Sequence, residues 1–303
     1  MSSCFEFKPN TSCVEKVFPC GKAPRFWSVN WAAALIHLVN GLGMLMLWGS
    51  SDNKDTVYRL TETYAPWTAP INGTCPLPSI QISDEWCLSR VVKPTSEVSL
   101  WWLIIGFHVL SFTFQTLAMI ECPAIGKQNY VNEVRDQGTN TLRMLEYSVS
   151  ATLMQIAIAL LLGVWQRLTI IGIAFLTVVT MLLGLIAEQT RKNDLRTAWI
   201  AHIVGWVSMA GVWIILGRQF VFTILESPNG PPEFVYAIVI VIGMLYSCFG
   251  FVQMYQLYKT NKVSDESKLN ETVEVLYCVN SLVSKSFLGW MIFSNALVGV
   301  AQS

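Results

Sequence analysis

Charge is scarce in this sequence. Asp, Glu, Lys and Arg together supply 13% of its 303 residues, against about a quarter in an ordinary soluble domain. A chain so poor in charge does not cover a water-exposed globule, and hydrophobic residues make up 53% of it. Nor is there an excess of either sign, with 20 basic and 20 acidic side chains. That balance excludes the basic footprint of a nucleic-acid binder, so no nucleic acid is expected as a partner. The first 25 residues contain no apolar core, so they do not read as a cleavable signal sequence. Low-complexity segments and internal repeats are absent, and Cys122, Cys248 and Cys278 carry no metal-site spacing.

What the chain does have is long apolar runs. A bilayer core about 30 Å thick needs roughly 20 apolar residues in a helix. Seven stretches meet that length: Trp27–Trp48, Val98–Ile120, Leu142–Val164, Leu168–Ala187, Ala198–Phe222, Phe234–Tyr258 and Val273–Val300. Helices are the expected spanning solution, because lipid leaves unpaired backbone groups costly and no barrel-type alternation is present. The expectation is an all-α, seven-transmembrane-helix bundle occupying residues 1–303 as one membrane domain. It has a tail over residues 1–26 and a long loop over residues 49–97.

Basic residues orient the bundle. Lys8, Lys16, Lys22, Arg25, Lys127, Arg135, Arg143, Arg191, Lys192, Arg196, Lys259, Lys262 and Lys268 fall on one side; Lys54, Arg59, Arg90, Lys93, Arg167 and Arg218 fall on the other. By the positive-inside rule the amino terminus is cytoplasmic and the carboxyl terminus extracellular. The loop 49–97 then lies outside, where its Asn72-Gly73-Thr74 sequon and the pair Cys75 and Cys87 suit an oxidising exterior. Similar sequons at Asn10 and Asn270 fall inside, and Cys4, Cys13 and Cys20 are expected to be reduced. An inward amino terminus argues against an ordinary G-protein-coupled receptor.

Few ionisable residues interrupt the spans, and such residues are usually functional. Lys285 lies about twelve residues into the last stretch. A buried neutral amine is a nucleophile toward an aldehyde; the alternative is a lysine that snorkels to the interface. Glu146 is its natural partner, although an interfacial glutamate one turn inside the helix is also a reading. Ser150 and Met154 follow Glu146 on the same helix face, and Ser281 lies one turn before Lys285. His37 and His108 are either satisfied polar residues or a proton-exchanging pair; His202 falls in the fifth span, and two histidines without a third ligand make no metal site. Trp27, Trp31, Trp48, Trp101, Trp102 and Trp165 suit interfacial belts, whereas Trp290 lies inside the last helix near Lys285. Tyr246, Phe249 and Gln253 share a face of the sixth helix, as packing or as a pocket wall.

At these residues the chain resembles the heliorhodopsins. The resemblance is carried by Arg143-Met144-Leu145-Glu146-Tyr147-Ser148-Val149-Ser150, by Phe234-Val235-Tyr236 with Phe251-Val252-Gln253, and by Ser281-Leu282-Val283-Ser284-Lys285-Ser286 with Trp290-Met291-Ile292-Phe293-Ser294. It implies all-trans retinal on Lys285 as a protonated Schiff base, Glu146 as its lone counterion and Ser281 beside the imine. It further implies Met154, Tyr246, Gln253 and Trp290 in the pocket, and His37 and His108 in a cytoplasm-facing cavity that accepts the proton. The family pattern implies a homodimer with a slow photocycle, and a light-sensing, non-enzymatic role in a plasma membrane with a downstream signalling partner. Asn40, Ile104 and Leu185 depart from that pattern. The other reading is a light-gated proton or ion conductance through Glu146, Ser150, His37 and His108, with Glu188 and Glu233 near the helix ends.

Overall fold

A computed structural model of the chain describes residues 25–51, 57–72, 75, 79–81, 87–119, 130, 133–228 and 230–297. Most of the tail, with Cys4, Cys13, Cys20 and the Asn10 sequon, lies outside the described residues, as do Cys122 and the remainder of the Asn72 sequon.

Seven helices long and apolar enough to cross a membrane are present among the described residues. They are α1 (Arg25–Ser50), α2 (Leu100–Met119), α3 (Thr141–Leu161), α4 (Arg167–Thr190), α5 (Leu195–Glu226), α6 (Glu233–Lys259) and α7 (Glu266–Ile292). A π-helical turn, Phe293–Leu297, continues α7. Each helix packs on its sequence neighbours and α7 packs on α1, so the ring closes. α3 is the most enclosed of the seven. Val39, Met46, Phe175, Val207, Ile214 and Leu225 face outward, the arrangement expected where the solvent is lipid and apolar surface costs nothing to expose.

The boundaries follow hydropathy, except where capping extends them. α3 starts at Asn140, whose side chain accepts from the Arg143 N–H. α5 starts at Asp194, capping Thr197. α7 begins at Glu266 rather than at Val273, because Asp265 accepts from the Lys268 N–H and caps two polar turns that a hydropathy window passes over. Lys285 therefore lies in the last third of its helix rather than near the middle that the apolar span Val273–Val300 indicates.

The all-α expectation fails in the loop 49–97, which is β-structured. Strands β1 (Tyr58–Tyr64) and β5 (Val91–Val98) pair antiparallel, and β2 (Trp67–Thr68), β4 (Cys87–Ser89) and β3 (Ser79–Gln81) form a second small sheet. The β1–β5 register slips between Leu60 and Thr61, where Pro94 pairs with Thr61. Proline has no N–H for the ladder, so a slip is expected there. Cys75 and Cys87 are disulfide-bonded. The ribbon is tied to the α3–α4 turn by the Thr61 N–H donating to the Trp165 carbonyl at 2.8 Å and by Arg167 against Glu62 at 3.1 Å.

At the opposite end, a π-helical turn, Glu133–Gln137, leads into α3. Gly138 follows at φ +68°, and a Cβ there would sit 1.9 Å from Arg191 Nη2 and 2.5 Å from Asn270 Oδ1. Arg191, fully buried, donates to Thr260 Oγ1 (3.0 Å), Asn270 Oδ1 (2.7 Å) and the Gln137 carbonyl (3.3 Å), tying α4, α6, α7 and this turn together. Gly138→Ala is expected to destabilise the protein by about 1–3 kcal/mol, through an unfavourable φ and loss of the Arg191 contacts. Thermal unfolding in detergent checks this, and an unchanged midpoint would contradict it.

Candidate functional site

Three helices deliver the central group. Lys285 Nζ of α7 lies 2.6 Å from Glu146 Oε1 of α3 and 2.6 Å from Ser111 Oγ of α2. The single Ser111 hydroxyl hydrogen points either to Glu146 Oε1 at 2.7 Å or to the Phe107 carbonyl at 2.9 Å. Lys285 and Glu146 are each 3% exposed, so this is a buried ion pair with one polar brace. Removing one partner of such a pair typically costs about 3–5 kcal/mol, because the other charge is stranded. The interfacial-glutamate and snorkelling-lysine readings do not describe this geometry.

A cavity begins at Lys285 and is lined there by Ser150, Met154, Ser281 and Ser284. Tyr147, Met181, Tyr246 and Phe249 line both this space and a larger one, which reaches Met144, Trp206, Met209, Gln253 and His202. The Tyr147 hydroxyl donates to the Tyr277 carbonyl and the Tyr246 hydroxyl to the Ala151 carbonyl, both at 3.1 Å. Two polar tips are thereby consumed on backbone, and the rings are left as wall. The Ser150 hydroxyl is buried and has no hydrogen-bond partner among the described residues.

The far end is closed by a hydrogen-bonded chain. The Trp206 indole N–H donates to His202 Nε2 at 3.0 Å, so Nδ1 carries the histidine proton and donates to Gln253 Oε1 at 2.9 Å. The Gln253 amide donates onward to the Gly184 carbonyl at 2.9 Å. Trp206 lies directly on Gly250, where a Cβ would come within 2.3 Å of the ring. The corridor is thus long, largely apolar and aromatic, closed by an indole and begun by an amine. These residues fit an elongated polyene aldehyde attached at Lys285.

The other expected residues divide. Ser281, Ser150, Met154, Tyr246 and Gln253 line the corridor. His37 and His108 meet, Nδ1 to Nδ1, at 3.0 Å, but behind Lys285 rather than along the corridor: a Cβ on Gly289, one turn past Lys285, would be 2.9 Å from His108 Nε2. Trp290 stands apart. It is 40% exposed and donates to Asn40 Oδ1 of α1 at 3.2 Å. Five residues beyond Lys285 corresponds to a rotation of about 140° around the helix, which turns it away from the corridor. Asn40 also donates to Ser286 Oγ at 3.0 Å, fastening α1 to α7.

Sequence reasoning missed Ser111, Tyr147, Met181 and Trp206. It also missed a second buried charge cluster, counting Arg143 among the basic residues that orient the bundle and passing over Glu274. Arg143 is ion-paired with both Glu188 and Glu274, and its guanidinium carbon lies 4.1 Å from the Tyr277 ring centroid. Among the described residues no group of three or more His, Cys, Asp or Glu side chains is placed to hold a metal.

A closed ring of seven helices around a buried lysine–carboxylate pair is the rhodopsin architecture, and solved structures of that class superpose on it. The transmembrane domain of the Salpingoeca rosetta rhodopsin phosphodiesterase matches with a TM-score of 0.61 at 11% identity, covering 97% of this chain and 90% of that one. Cyanorhodopsin from the cyanobacterium Tolypothrix sp. matches with a TM-score of 0.60 at 9% identity, covering 93% of this chain and all of that one. At such identities the likeness is one of fold, and the phosphodiesterase title says nothing of enzymatic activity here. No curated protein matches. The heliorhodopsin family profile matches residues 26–297, and the chain belongs to that family. Membership makes it an integral, multi-pass membrane protein of a retinal-based, light-responsive family.

Gly250→Leu is expected to displace Trp206 and fill the end of the corridor. Retinal uptake, followed as visible absorbance per mole of folded protein, should fall at least severalfold with helical circular dichroism unchanged. Undiminished uptake would contradict the assignment of that wall.

Proposed function

We propose that this protein is a light sensor in which Lys285 carries all-trans retinal as a protonated Schiff base, with Glu146 as the sole counterion. The observation that supports it most is the 2.6 Å contact between Lys285 Nζ and Glu146 Oε1 at the head of the corridor. Bound there, retinal supplies absorption and isomerisation. The chain supplies the rest. Glu146 and Ser111 hold a proton on the Lys285 nitrogen, and the aromatic walls fix the axis along which a ligand lies. Tyr246, Met154, Gln253, Ser150 and Ser281 are assigned to the pocket.

His37 and His108 are assigned as an auxiliary polar pair behind the lysine. The charge bias of the loops favours an inward amino terminus; with Arg143 and Arg191 removed as buried residues, the bias remains on the same side. A homodimer, a slow photocycle, a downstream signalling partner and a plasma-membrane location complete the reading.

Signalling is favoured over conductance by what lies around Lys285. Glu146 is the only carboxylate the described residues bring to it, and its Oε1 is held by both Lys285 and Ser111. Two measurements follow. Glu146→Gln is expected to move the visible absorption band and reduce the fraction of protonated Schiff base at neutral pH; an unmoved band would contradict its counterion role. Voltage clamp on cells expressing the wild-type chain is expected to give no steady photocurrent, whereas a sustained current would favour conductance.

A further inference from the structure

The second charge cluster has an arithmetic of its own. Arg143, Glu188 and Glu274 have side chains that are 7%, 0% and 4% exposed. One guanidinium faces two carboxylates, so full ionisation leaves a negative charge uncompensated in a low-dielectric interior, where such charges are costly. Arg191 is the nearest further cation on α4, three residues after Glu188. Its hydrogen bonds go to Thr260, Asn270 and Gln137 and to neither carboxylate; it lies within electrostatic reach of Glu188, but its charge is shared with Glu266.

The hydrogen bonds within the cluster are uneven. Glu274 receives three donors: Arg143, the Tyr130 hydroxyl at 3.0 Å and the Asn140 amide at 2.7 Å. Glu188 receives Arg143 and, at 3.3 Å, the Asn140 backbone N–H. Glu274 is therefore the more fully hydrogen-bonded carboxylate of the two, and among the described residues Glu188 Oε2 accepts only the Asn140 backbone N–H. The other polar and titratable groups packed around the cluster are Tyr147 on α3, Tyr277 and Cys278 on α7, and Asn30 on α1, which donates to Tyr130 at 2.9 Å.

Beside the cluster is a small cavity lined in part by Glu146 and Glu274 together with Arg143, Tyr130, Asn140 and Gln115. The buried Arg143 Nε–H has no hydrogen-bond partner among the described residues although Arg143 lines this space, which suits water as the occupant. We propose that Glu188 and Glu274, held on Arg143, bind one proton between them in the resting protein. The site faces the same cavity as Glu146 and exchanges its proton through that cavity. The proton removes the cluster's surplus charge, and it sits one cavity away from the carboxylate that partners Lys285. The site adds to the light-sensing reading and does not depend on it.

Infrared spectroscopy of the retinal-free, folded protein tests this. At neutral pH the wild type should show the carbonyl stretch of one protonated carboxylic acid, shifting on transfer to heavy water. Glu188→Gln and Glu274→Gln should each abolish that band, since either substitution removes the surplus charge, whereas Glu146→Gln should leave it in place. Tyr130→Phe, which removes a donor to Glu274, should keep the band and move its disappearance to higher pH. The proposal is overturned by absence of the band from folded wild type, by its survival in both glutamine variants, or by failure to exchange in heavy water. Retinal uptake measured in parallel separates this outcome from the pigment reading: a pigment without the band sinks only the proton site, and the band without a pigment sinks only the retinal assignment.

Discussion

The buried ion pair between Lys285 and Glu146 is the constraint from which the rest of the bundle can be understood. A lysine 3% exposed within an apolar helix is tolerable only if a carboxylate meets it with good geometry. Meeting it requires α3 and α7 to hold a fixed register, and Ser111 extends that requirement to α2. α1 is drawn in by Asn40 bridging Ser286 and Trp290. A pair of this kind contributes little net stability, since desolvation offsets attraction. Its retention in a membrane core therefore speaks for chemistry at the nitrogen, which is why fold and proposed function converge on the same two atoms.

α3 organises both halves of the interior. In one direction Glu146, Ser150 and Met154 lead into the corridor that ends at Trp206; in the other, Arg143 gathers Glu188 and Glu274 beneath the Glu133–Gln137 turn. The two sites lie within one turn of the same helix, so a displacement of α3 acts on both. The closed hydrogen-bond chain through Trp206, His202, Gln253 and Gly184 makes the corridor's far wall rigid. A rigid wall opposite a fixed amine is suited to converting a change of ligand shape into movement of helices rather than of side chains.

Much of this was legible in the amino-acid order. Apolar run length alone places the seven helices, because in a membrane length and backbone satisfaction decide the fold. Lys285 and Glu146 stand out since ionisable residues in such runs are rare. Less legible was anything set by helix packing. Ser111 looks like any serine in an apolar helix until α2, α3 and α7 close around it. Trp290 is near Lys285 along the chain and far from it around the helix. Glu274 was hidden because hydropathy begins the last span at Val273, while the Asp265 cap starts the helix two turns earlier and carries Glu274 inside. The loop strands are less legible for a related reason: in Tyr58–Tyr64 the charged Glu62 interrupts the apolar–polar alternation that marks a half-buried strand.

The central claim is that Lys285, and no other lysine, forms the covalent link to retinal. Borohydride reduction of the retinal-loaded protein followed by peptide mass mapping tests it most directly. The account predicts a retinyl group on the peptide carrying Lys285 and on no other. A retinyl group on a different lysine, or none in protein shown to be folded and loaded, would contradict it.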